Sequence, residues 1–286
     1  MKRQKHLHNT LDMERRLGDG IRAYLPHFLS EFIMFGLKQA WAALFGGLLL
    51  CALIGTAMIW QDDWPLARYD ALLIYAVSLQ VFMILFKLET WSEARVIVLF
   101  HLTGTLMEIF KVHMVSWAYP GDGIMKFMDV PLFSGFMYAS VGSYIARVSR
   151  IFKMRFAPYP PFWVAGLLAL AIYLNFYSHH FIPDLRMGLF IASVWIFWRT
   201  RIWFCIGDNT YWMPLPLAVF LASFFLWVAE NIGTQTATWV YAGRAAYAWT
   251  DITKMGSWYL LLYVSFATVS LVIRDHLVRA KQSEKL

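Results

Sequence analysis

The sequence predicts an all-α fold, a polytopic transmembrane helical bundle of about eight spans with both termini in the cytoplasm. Its 286 residues are 59% hydrophobic and only 15% charged, whereas soluble domains carry roughly a quarter charged residues. Apolar stretches also recur along the chain, with short polar connections between them. Both observations indicate one domain embedded in lipid.

Eight stretches are long enough to cross a bilayer. A spanning helix needs about 20 predominantly apolar residues, since it rises about 1.5 Å per residue across a hydrocarbon core about 30 Å thick. A cytoplasmic segment (1–40) precedes the predicted transmembrane domain (41–273), and a cytoplasmic tail (274–286) follows it. The predicted spans are residues 41–60, 69–86, 96–117, 131–146, 161–178, 181–198, 211–230 and 255–273.

The distribution of basic residues predicts the orientation. Lys and Arg concentrate in the N-terminal segment, in every second loop and in the tail, whereas the intervening loops carry few of them. Because cytoplasmic loops hold the excess of Lys and Arg, these segments are expected inside the cell. Within the N-terminal segment, residues 25–38 place Leu and Phe at helical spacing, which predicts an amphipathic helix lying in the interface.

Charge, cysteine content and motifs narrow the function classes. The net charge of +7 comes from Lys and Arg that flank apolar runs, so membrane lipids, rather than nucleic acid, are the expected partners. The two cysteines lie in different predicted environments and imply no disulfide framework. The sequence has no nucleotide-binding, GxSxG, HExxH or haem-attachment motif, and it indicates no particular cofactor.

The third predicted span carries the densest set of polar residues. His101, Gly104, Glu108 and Lys111 fall on one arc of the helix, and His113 lies on another side. An ionisable group inside the bilayer is costly, so it needs a partner or a function. Two interpretations stay open: an ion pair between Glu108 and Lys111 that neutralises both, or a functional polar seam.

Two further polar groups are predicted at the same level, in the outer half of the bundle. Glu230 and Asn231 end the seventh span. The other group surrounds the turn after the fifth span and consists of Asn175, His179, His180, Asp184 and Arg186. A zinc or iron site could combine one of these histidines with His113 and either glutamate, but it lacks a recognised ligand spacing. Histidines at a water boundary are the simpler interpretation.

The remaining polar and aromatic residues are interpreted as structural. Trp and Tyr near span ends, Trp117 and Tyr119 among them, are typical of the aromatic belt at a membrane interface. On the cytoplasmic side, Glu89, Glu93, Arg95 and the basic run 147–155 are expected to be solvated or to contact lipid headgroups. The long outer loop 232–256 is predicted to form either a lid that dips into the membrane interface or a short interfacial helix.

Three functions are consistent with this pattern. The first is a membrane-embedded enzyme acting on an isoprenoid or other lipid-soluble small molecule, with Glu108 and Glu230 as general acid and base and Lys111 stabilising negative charge. The alternatives are a small-solute or ion transporter that uses the same seam, and a scaffold for another membrane protein. The predicted substrate-binding residues are His101, His113, Asn175, His179, His180, Asp184 and Asn231.

Five segments together resemble a known family. They are FGLKQAWAALFGG, HLTGTLMEIFK, SGFMYASVGSYIAR, NFYSHHFIPDLR and WVAENIGT. From about Phe32 onward, the chain is similar to the bacterial integral membrane proteins grouped as domain of unknown function 817. This resemblance implies a bacterial cytoplasmic (inner) membrane and brings no catalytic residue with it. The pattern HxxGxxxE of His101, Gly104 and Glu108 also resembles one helix of membrane proteins that hydrate or cyclise carotenoid-type isoprenoids.

Overall fold

Nine helices dominate the computed structural model, which describes residues 20–21, 23–61, 63–273 and 277–279. The first 19 residues of the predicted N-terminal segment and most of the predicted tail lie outside this part of the chain. The helices are α1 (His27–Ala42), α2 (Leu44–Ile59), α3 (Arg68–Leu85), α4 (Trp91–His113), α5 (Phe133–Ile151), α6 (Phe162–Ser178), α7 (Arg186–Phe197), α8 (Leu215–Gln235) and α9 (Thr253–Val272).

Four of these helices, α3, α4, α8 and α9, are long and apolar enough to cross a membrane. The pair α1 and α2 passes the same test when it is taken together, which gives a fifth, but the two helices are bent by 72° at Ala43. Helices α6 and α7 are apolar but shorter. The structure therefore has the helices of a membrane protein in its described part, and the count of eight spans stays a prediction.

Several helix boundaries differ from the predicted spans. The interfacial helix predicted over 25–38 is α1, which runs on to Ala42 and so includes the start of the first predicted span. Helix α4 ends at His113, four residues before the predicted boundary. Helix α5 begins at Phe133 and runs past the predicted span to Ile151. In the predicted sixth span only Arg186–Phe197 is helical, because residues 181–185 form a turn.

Helices α4 and α5 pack against each other through small residues. A side chain at Gly104 would lie 2.7 Å from the ring of Tyr138, and one at Gly142 would lie 2.7 Å from the ring of Phe100. Such glycines let two backbones approach closely, which is how helices commonly associate in membranes, where little hydrophobic force acts between them. The main apolar core lies beside this contact and includes buried residues of α4, α5, α6, α8 and α9.

A four-stranded sheet lies at one end of the bundle and was not predicted. Its strands are β4 (Arg155–Tyr159), β5 (Arg201–Ile206), β6 (Asn209–Pro214) and β8 (Leu277–Arg279), in the order β6-β5-β4-β8. We name this end the sheet end; it contains loops predicted to be cytoplasmic. The all-α class is therefore incomplete, although helices dominate.

The hairpin of β5 and β6 explains why the seventh predicted span began too early. Arg201 pairs with Pro214 and Ile206 pairs with Asn209, so only two residues connect the strands. Gly207 in this connection has a φ of +57°, which glycine adopts without strain. Residues 211–214 are apolar enough to extend a span, but they continue strand β6, and α8 begins only at Leu215.

The charges expected to be solvated at the sheet end are largely buried. Glu89 is 5%, Glu93 1% and Arg147 0% exposed. Arg147 lies 3.7 Å from a carboxylate oxygen of Glu89, and Arg150 pairs with Glu93 at 2.8 Å. The expectation was wrong for these residues because α5 extends beyond the predicted span and carries its basic residues against the start of α4. Arg95 is exposed, as expected.

Two short strand pairings and a loop bound by Asp70 form the opposite end of the bundle, the predicted outer end. Strand β1 (Trp117–Ala118) pairs with β7 (Val240–Tyr241), and β2 (Lys126–Phe127) pairs with β3 (Val130–Pro131). The buried carboxylate of Asp70 accepts the backbone N–H groups of Ile124 and Met125 at 2.9 and 2.8 Å. These contacts hold the connections between helices over the end of the bundle.

Candidate functional site

Glu108, in the C-terminal part of α4, lies in a cage of three hydrogen-bond donors. The indole of Trp117 donates to Oε2 at 2.7 Å, the hydroxyl of Tyr119 donates to the same oxygen at 2.8 Å, and the hydroxyl of Tyr138 donates to Oε1 at 2.5 Å. The side chain is 2% exposed. A carboxylate withdrawn from water is stabilised by such donors, which replace its hydration.

Glu230, on α8, has a second cage of three aromatic donors, here two tryptophans and one tyrosine. Its Oε1 accepts from the indole of Trp239 at 3.0 Å and from the hydroxyl of Tyr241 at 2.5 Å, and its Oε2 accepts from the indole of Trp258 at 3.1 Å. The indole of Trp239 reaches Glu230 by crossing directly over Gly233, where any side chain would collide with it. Glycine at 233 is therefore a requirement of this cage.

The two cages contact each other through two aromatic pairs. Trp117 and Tyr241 are register partners in the β1–β7 pair, with ring centroids 5.8 Å apart. Tyr138 and Trp258 have centroids 6.2 Å apart. In each pair one member donates to Glu108 and the other to Glu230, and the two carboxylates are near enough to interact electrostatically. The structure thus brings these two predicted site residues together.

The tyrosines contributed by the loops keep their protons. Burial, followed by the charge of the adjacent glutamate, raises the pKa of Tyr119 well above its ordinary value, and the same two causes act on the pKa of Tyr241. Both hydroxyls therefore act as donors to the carboxylates at neutral pH.

An apolar cavity of about 410 Å³ lies beside both cages. Its wall includes Tyr138 and Trp258, which donate to Glu108 and Glu230. The hydroxyl of Ser270, also in the wall, is buried and has no hydrogen-bond partner within the described part of the chain. The rest of the wall comes from α4, α5, α6, α9 and the end of β4, and includes Phe100, Met107, Val141, Tyr159, Phe162, Ala165, Leu170 and Leu261.

Lys111 does not pair with Glu108. Its ammonium donates to the carbonyl of Phe176 at 2.8 Å and lies 2.9 Å from Nε2 of His180. Among the described residues no ion pair links Lys111 to Glu108, so the predicted neutralising pair does not form. The two side chains share an arc of α4 but extend towards different neighbours, Lys111 towards α6 and Glu108 towards α5 and β1.

The polar residues around the turn after α6 hold that turn together. Asn175 donates to Asp184 at 3.0 Å and accepts the backbone N–H of Leu185 at 2.9 Å. His179 and His180 stack with ring centroids 4.2 Å apart. Neither histidine lines the apolar cavity. Burial, reinforced by the charge of Lys111, lowers the pKa of both histidines below the ordinary value, which favours their neutral forms.

The other predicted site residues are spread over the bundle. Asn231 accepts the backbone N–H of Thr250 at 2.8 Å and thereby fixes the loop after β7. His101 packs on the ring of Phe136 at 4.4 Å, and His113 is exposed at the end of α4. Within the part of the chain that the structure describes, no three His, Cys, Asp or Glu side chains come together to hold a metal ion.

Sequence reasoning missed the residues that form the cages. Trp117 and Tyr119 were assigned to the aromatic belt, and Tyr138 and Trp258 received no role. The loop after α8 forms no interfacial helix; instead, its strand β7 pairs with β1 and places Tyr241 on Glu230. One available signal was that Trp and Tyr flank both intramembrane glutamates in sequence, at Trp117 and Tyr119 and at Trp239 and Tyr241.

Known proteins show where the chain belongs. Residues 31–266 match the family described as "Protein of unknown function (DUF817)". The chain is 42% identical over 243 residues to the "Uncharacterized protein YoaT" of Bacillus subtilis (strain 168), an alignment that covers 85% of this chain and 91% of that protein. No solved structure is significantly similar. These matches confirm what the five helix segments implied: the chain belongs to the DUF817 family.

Proposed function

We propose that this protein is a multi-pass enzyme of the bacterial cytoplasmic membrane that acts on a lipid-soluble small molecule, an isoprenoid or another lipid, by proton transfer. The observation that carries the proposal is the contact between the apolar cavity and the two caged carboxylates. Tyr138 belongs to both, since it lines the cavity and donates to Glu108 at 2.5 Å.

The cavity favours a lipid-soluble substrate. Small-molecule sites are typically concave, mostly apolar and about 300–1,000 Å³ in volume, with a few polar groups that fix the orientation. The cavity has about 410 Å³ and an apolar lining, and the unpartnered hydroxyl of Ser270 is a polar group that a substrate could satisfy. Because the cavity is formed by helices of the bundle, a substrate dissolved in the bilayer would enter between them.

Tyr138 and Glu108 are suited to proton transfer at the cavity wall. In this scheme the phenol oxygen of Tyr138 takes a proton from the substrate while its own proton passes to Glu108, and the reverse transfer returns it. A positioned acid or base of this kind typically contributes about 10²–10⁴-fold to a rate. Glu230 would hold the indole of Trp258 in place on the α9 side of the same cavity and would not relay a proton, because an indole N–H only donates a hydrogen bond. Lys111, the histidines and Asn175 have no role in this proposed scheme, since none of them lines the cavity.

The substitution Tyr138→Phe tests the proposal. A Bacillus subtilis strain that lacks the 42% identical relative would be complemented with this chain, and its membrane lipids and isoprenoids would be compared by mass spectrometry. The wild-type chain should reverse any lipid change that the deletion causes. Tyr138→Phe and Glu108→Gln should each reduce the restored product at least about 100-fold, since each removes one partner of the proton transfer.

Tyr144→Phe is the matched control. Tyr144 is on the same helix and donates to Gln39 at 2.8 Å, away from the cavity, so this variant should complement like wild type. Filling the cavity with Gly166→Phe should abolish complementation, because Gly166 lines the cavity and has open space beside it. Full complementation by Tyr138→Phe at equal protein abundance would refute the proton-transfer proposal.

A transporter is the second candidate, and the cavity counts against it. A hydrated solute or ion needs a polar path, whereas the wall beside the cages is apolar. Uptake assays with proteoliposomes would reverse this ranking if they showed solute-dependent proton movement that Glu108→Gln abolishes.

A further inference from the structure

A second, smaller pocket lies at the predicted outer end of the bundle, on the other side of the Glu230 cage from the apolar cavity. It has a volume of about 180 Å³ and is formed by the end of α4, the loop after β7 and the start of α9. Tyr241 is in its wall and donates to Glu230. Lys254 is also in its wall, one helical turn before Trp258 on α9.

Two cations face this pocket without a direct ion pair, although Asp251 lies near enough to interact electrostatically with both and Glu230 with Lys254. The ammonium of Lys254 lies over the ring of Tyr241 at 3.9 Å, and the guanidinium of Arg244 comes from the loop after β7. Among the described residues, neither has a carboxylate within 4.0 Å. Asp251 is the one acidic residue in the wall, and one of its oxygens accepts the backbone N–H of Thr253 at the start of α9. The charged groups of the wall therefore have a net positive balance.

Two hydroxyl groups in the same wall lack partners. The side-chain oxygens of Ser116 and Thr250 are buried and have no hydrogen-bond partner within the described part of the chain. Thr250 is only 8% exposed. Buried polar groups are nearly always satisfied, so unsatisfied ones in a pocket indicate a ligand or water that completes them.

We propose that this pocket binds a phosphate-type anion. Water could satisfy the hydroxyls of Ser116 and Thr250, but it would add no negative charge beside Lys254 and Arg244, for which the wall itself supplies only Asp251. A phosphate group has several acceptor oxygens, which can accept from both hydroxyls and from both cations. The volume of about 180 Å³ exceeds what one water needs and suits a small tetrahedral anion. The anion is either a free phosphate or the headgroup of a lipid phosphate monoester.

The test measures binding of three probes to the full-length protein by native mass spectrometry in a steroid-based detergent, which has no alkyl chain. The probes are inorganic phosphate, dodecyl phosphate and dodecanol. Either phosphate probe should bind at least about tenfold more weakly to Lys254→Met and to Thr250→Val than to wild type, because each variant removes one donor to the anion. Lys126→Met, which removes a lysine at the same end outside the pocket, should bind the probes like wild type.

The three probes distinguish the two possible sources of the anion, free phosphate and a lipid headgroup. Binding of inorganic phosphate that Lys254→Met abolishes identifies a free phosphate site. Binding of dodecyl phosphate over dodecanol by about tenfold, without binding of inorganic phosphate, identifies a lipid headgroup site. The proposal is overturned if wild type binds neither phosphate probe. It is also overturned if Lys254→Met and Thr250→Val both bind the phosphate probes as strongly as wild type does. Dodecanol binding that Gly166→Phe abolishes reports on the apolar cavity alone, so the proposed function and the anion site fail independently.

Discussion

Trp117 and Tyr241 are register partners in a two-residue strand pair, and each donates a hydrogen bond to a different buried glutamate. The pair joins the end of α4 to the loop after α8, so it ties both carboxylates to one piece of loop structure. Each bond has a buried carboxyl oxygen as its acceptor, and such a hydrogen bond contributes about 1 kcal/mol, or up to about 3 kcal/mol when the acceptor is charged.

We predict that Trp117→Phe and Tyr241→Phe are coupled. Each substitution keeps an aromatic ring in the strand pair and removes one donor, and each should lower the free energy of unfolding by about 1–3 kcal/mol. Because the two residues are in contact, the double variant should deviate from additivity by at least about 0.5 kcal/mol. Denaturant titration in detergent would give the free energy of unfolding of wild type, the two single variants and the double variant. Strict additivity would show that the strand pair does not couple the cages.

Gly104→Ala should disturb the Glu108 cage through Tyr138, the donor on α5. An added methyl group would lie 2.7 Å from the ring of Tyr138, so the ring must shift and its hydroxyl bond to Glu108 must lengthen or break. Overpacking of this kind costs about 1–3 kcal/mol. Scanning fluorimetry should therefore show a lower unfolding temperature, and the same variant should fail the complementation test for Tyr138→Phe.

Gly55→Ala is the comparison for this prediction. Gly55 lies inside α2 with nothing within 4 Å of an added methyl group, so alanine there should be neutral or should stabilise the protein by up to about 1 kcal/mol. If Gly104→Ala behaved like Gly55→Ala, close packing of Tyr138 against α4 would be disproved.

The helices were predictable from the sequence because lipid imposes a length and an apolar composition on each span. The strands at the sheet end were not, because RIWFCI and NTYWMP have the same apolar content as a helix end, and only their pairing distinguishes them. Glu108 and Glu230 were recognisable because an ionisable residue in an apolar run is costly. Their donors were not recognisable, since a tryptophan near a span end has the same sequence appearance in an aromatic belt as in a carboxylate cage.

Arg147 and Arg150 differ in burial although they are three residues apart, and their substitutions should differ accordingly. Arg147→Met leaves the fully buried Glu89 without its ion-pair partner and should cost about 3–5 kcal/mol. Arg150, whose side chain is 48% exposed, pairs with the buried Glu93, whose carboxylate keeps the backbone N–H of Thr90 as a donor, so Arg150→Met should cost less, about 1–3 kcal/mol.

Combining Arg147→Met with Glu89→Gln should recover part of the stability, because the amide carries no charge, still accepts the hydrogen bond from Ser143 and can donate to Gln80 once the Gln80 amide turns over. The unfolding temperature and the yield after detergent extraction should be measured for wild type, Arg147→Met, Arg150→Met and the double variant. A double variant that is less stable than Arg147→Met would show that the ion pair is not the cause of the loss.

Acidification should weaken the contact between Lys111 and His180. Burial, followed by the charges of Lys111 and His179, lowers the pKa of His180 below its ordinary value of 6.5. Between the lowered pKa and 6.5, the unfolded chain binds a proton that the folded protein does not, so stability is complete above pH 6.5 and falls as the pH decreases through this window. His179, whose pKa is also lowered, acts in the same direction, and Asp184 and Arg186 are the other charged groups that act on it.

His180→Gln keeps a hydrogen-bond acceptor near Lys111 and cannot be protonated in this range. Its unfolding temperature should therefore fall less than that of wild type between about pH 7.5 and pH 5, whereas the exposed control His113→Gln should follow wild type. Unfolding temperatures measured across this range by scanning fluorimetry give the comparison. Parallel curves for wild type and His180→Gln would mean that His180 does not accept the hydrogen bond from Lys111 in the folded protein, and that the ammonium depends on the carbonyl of Phe176 alone.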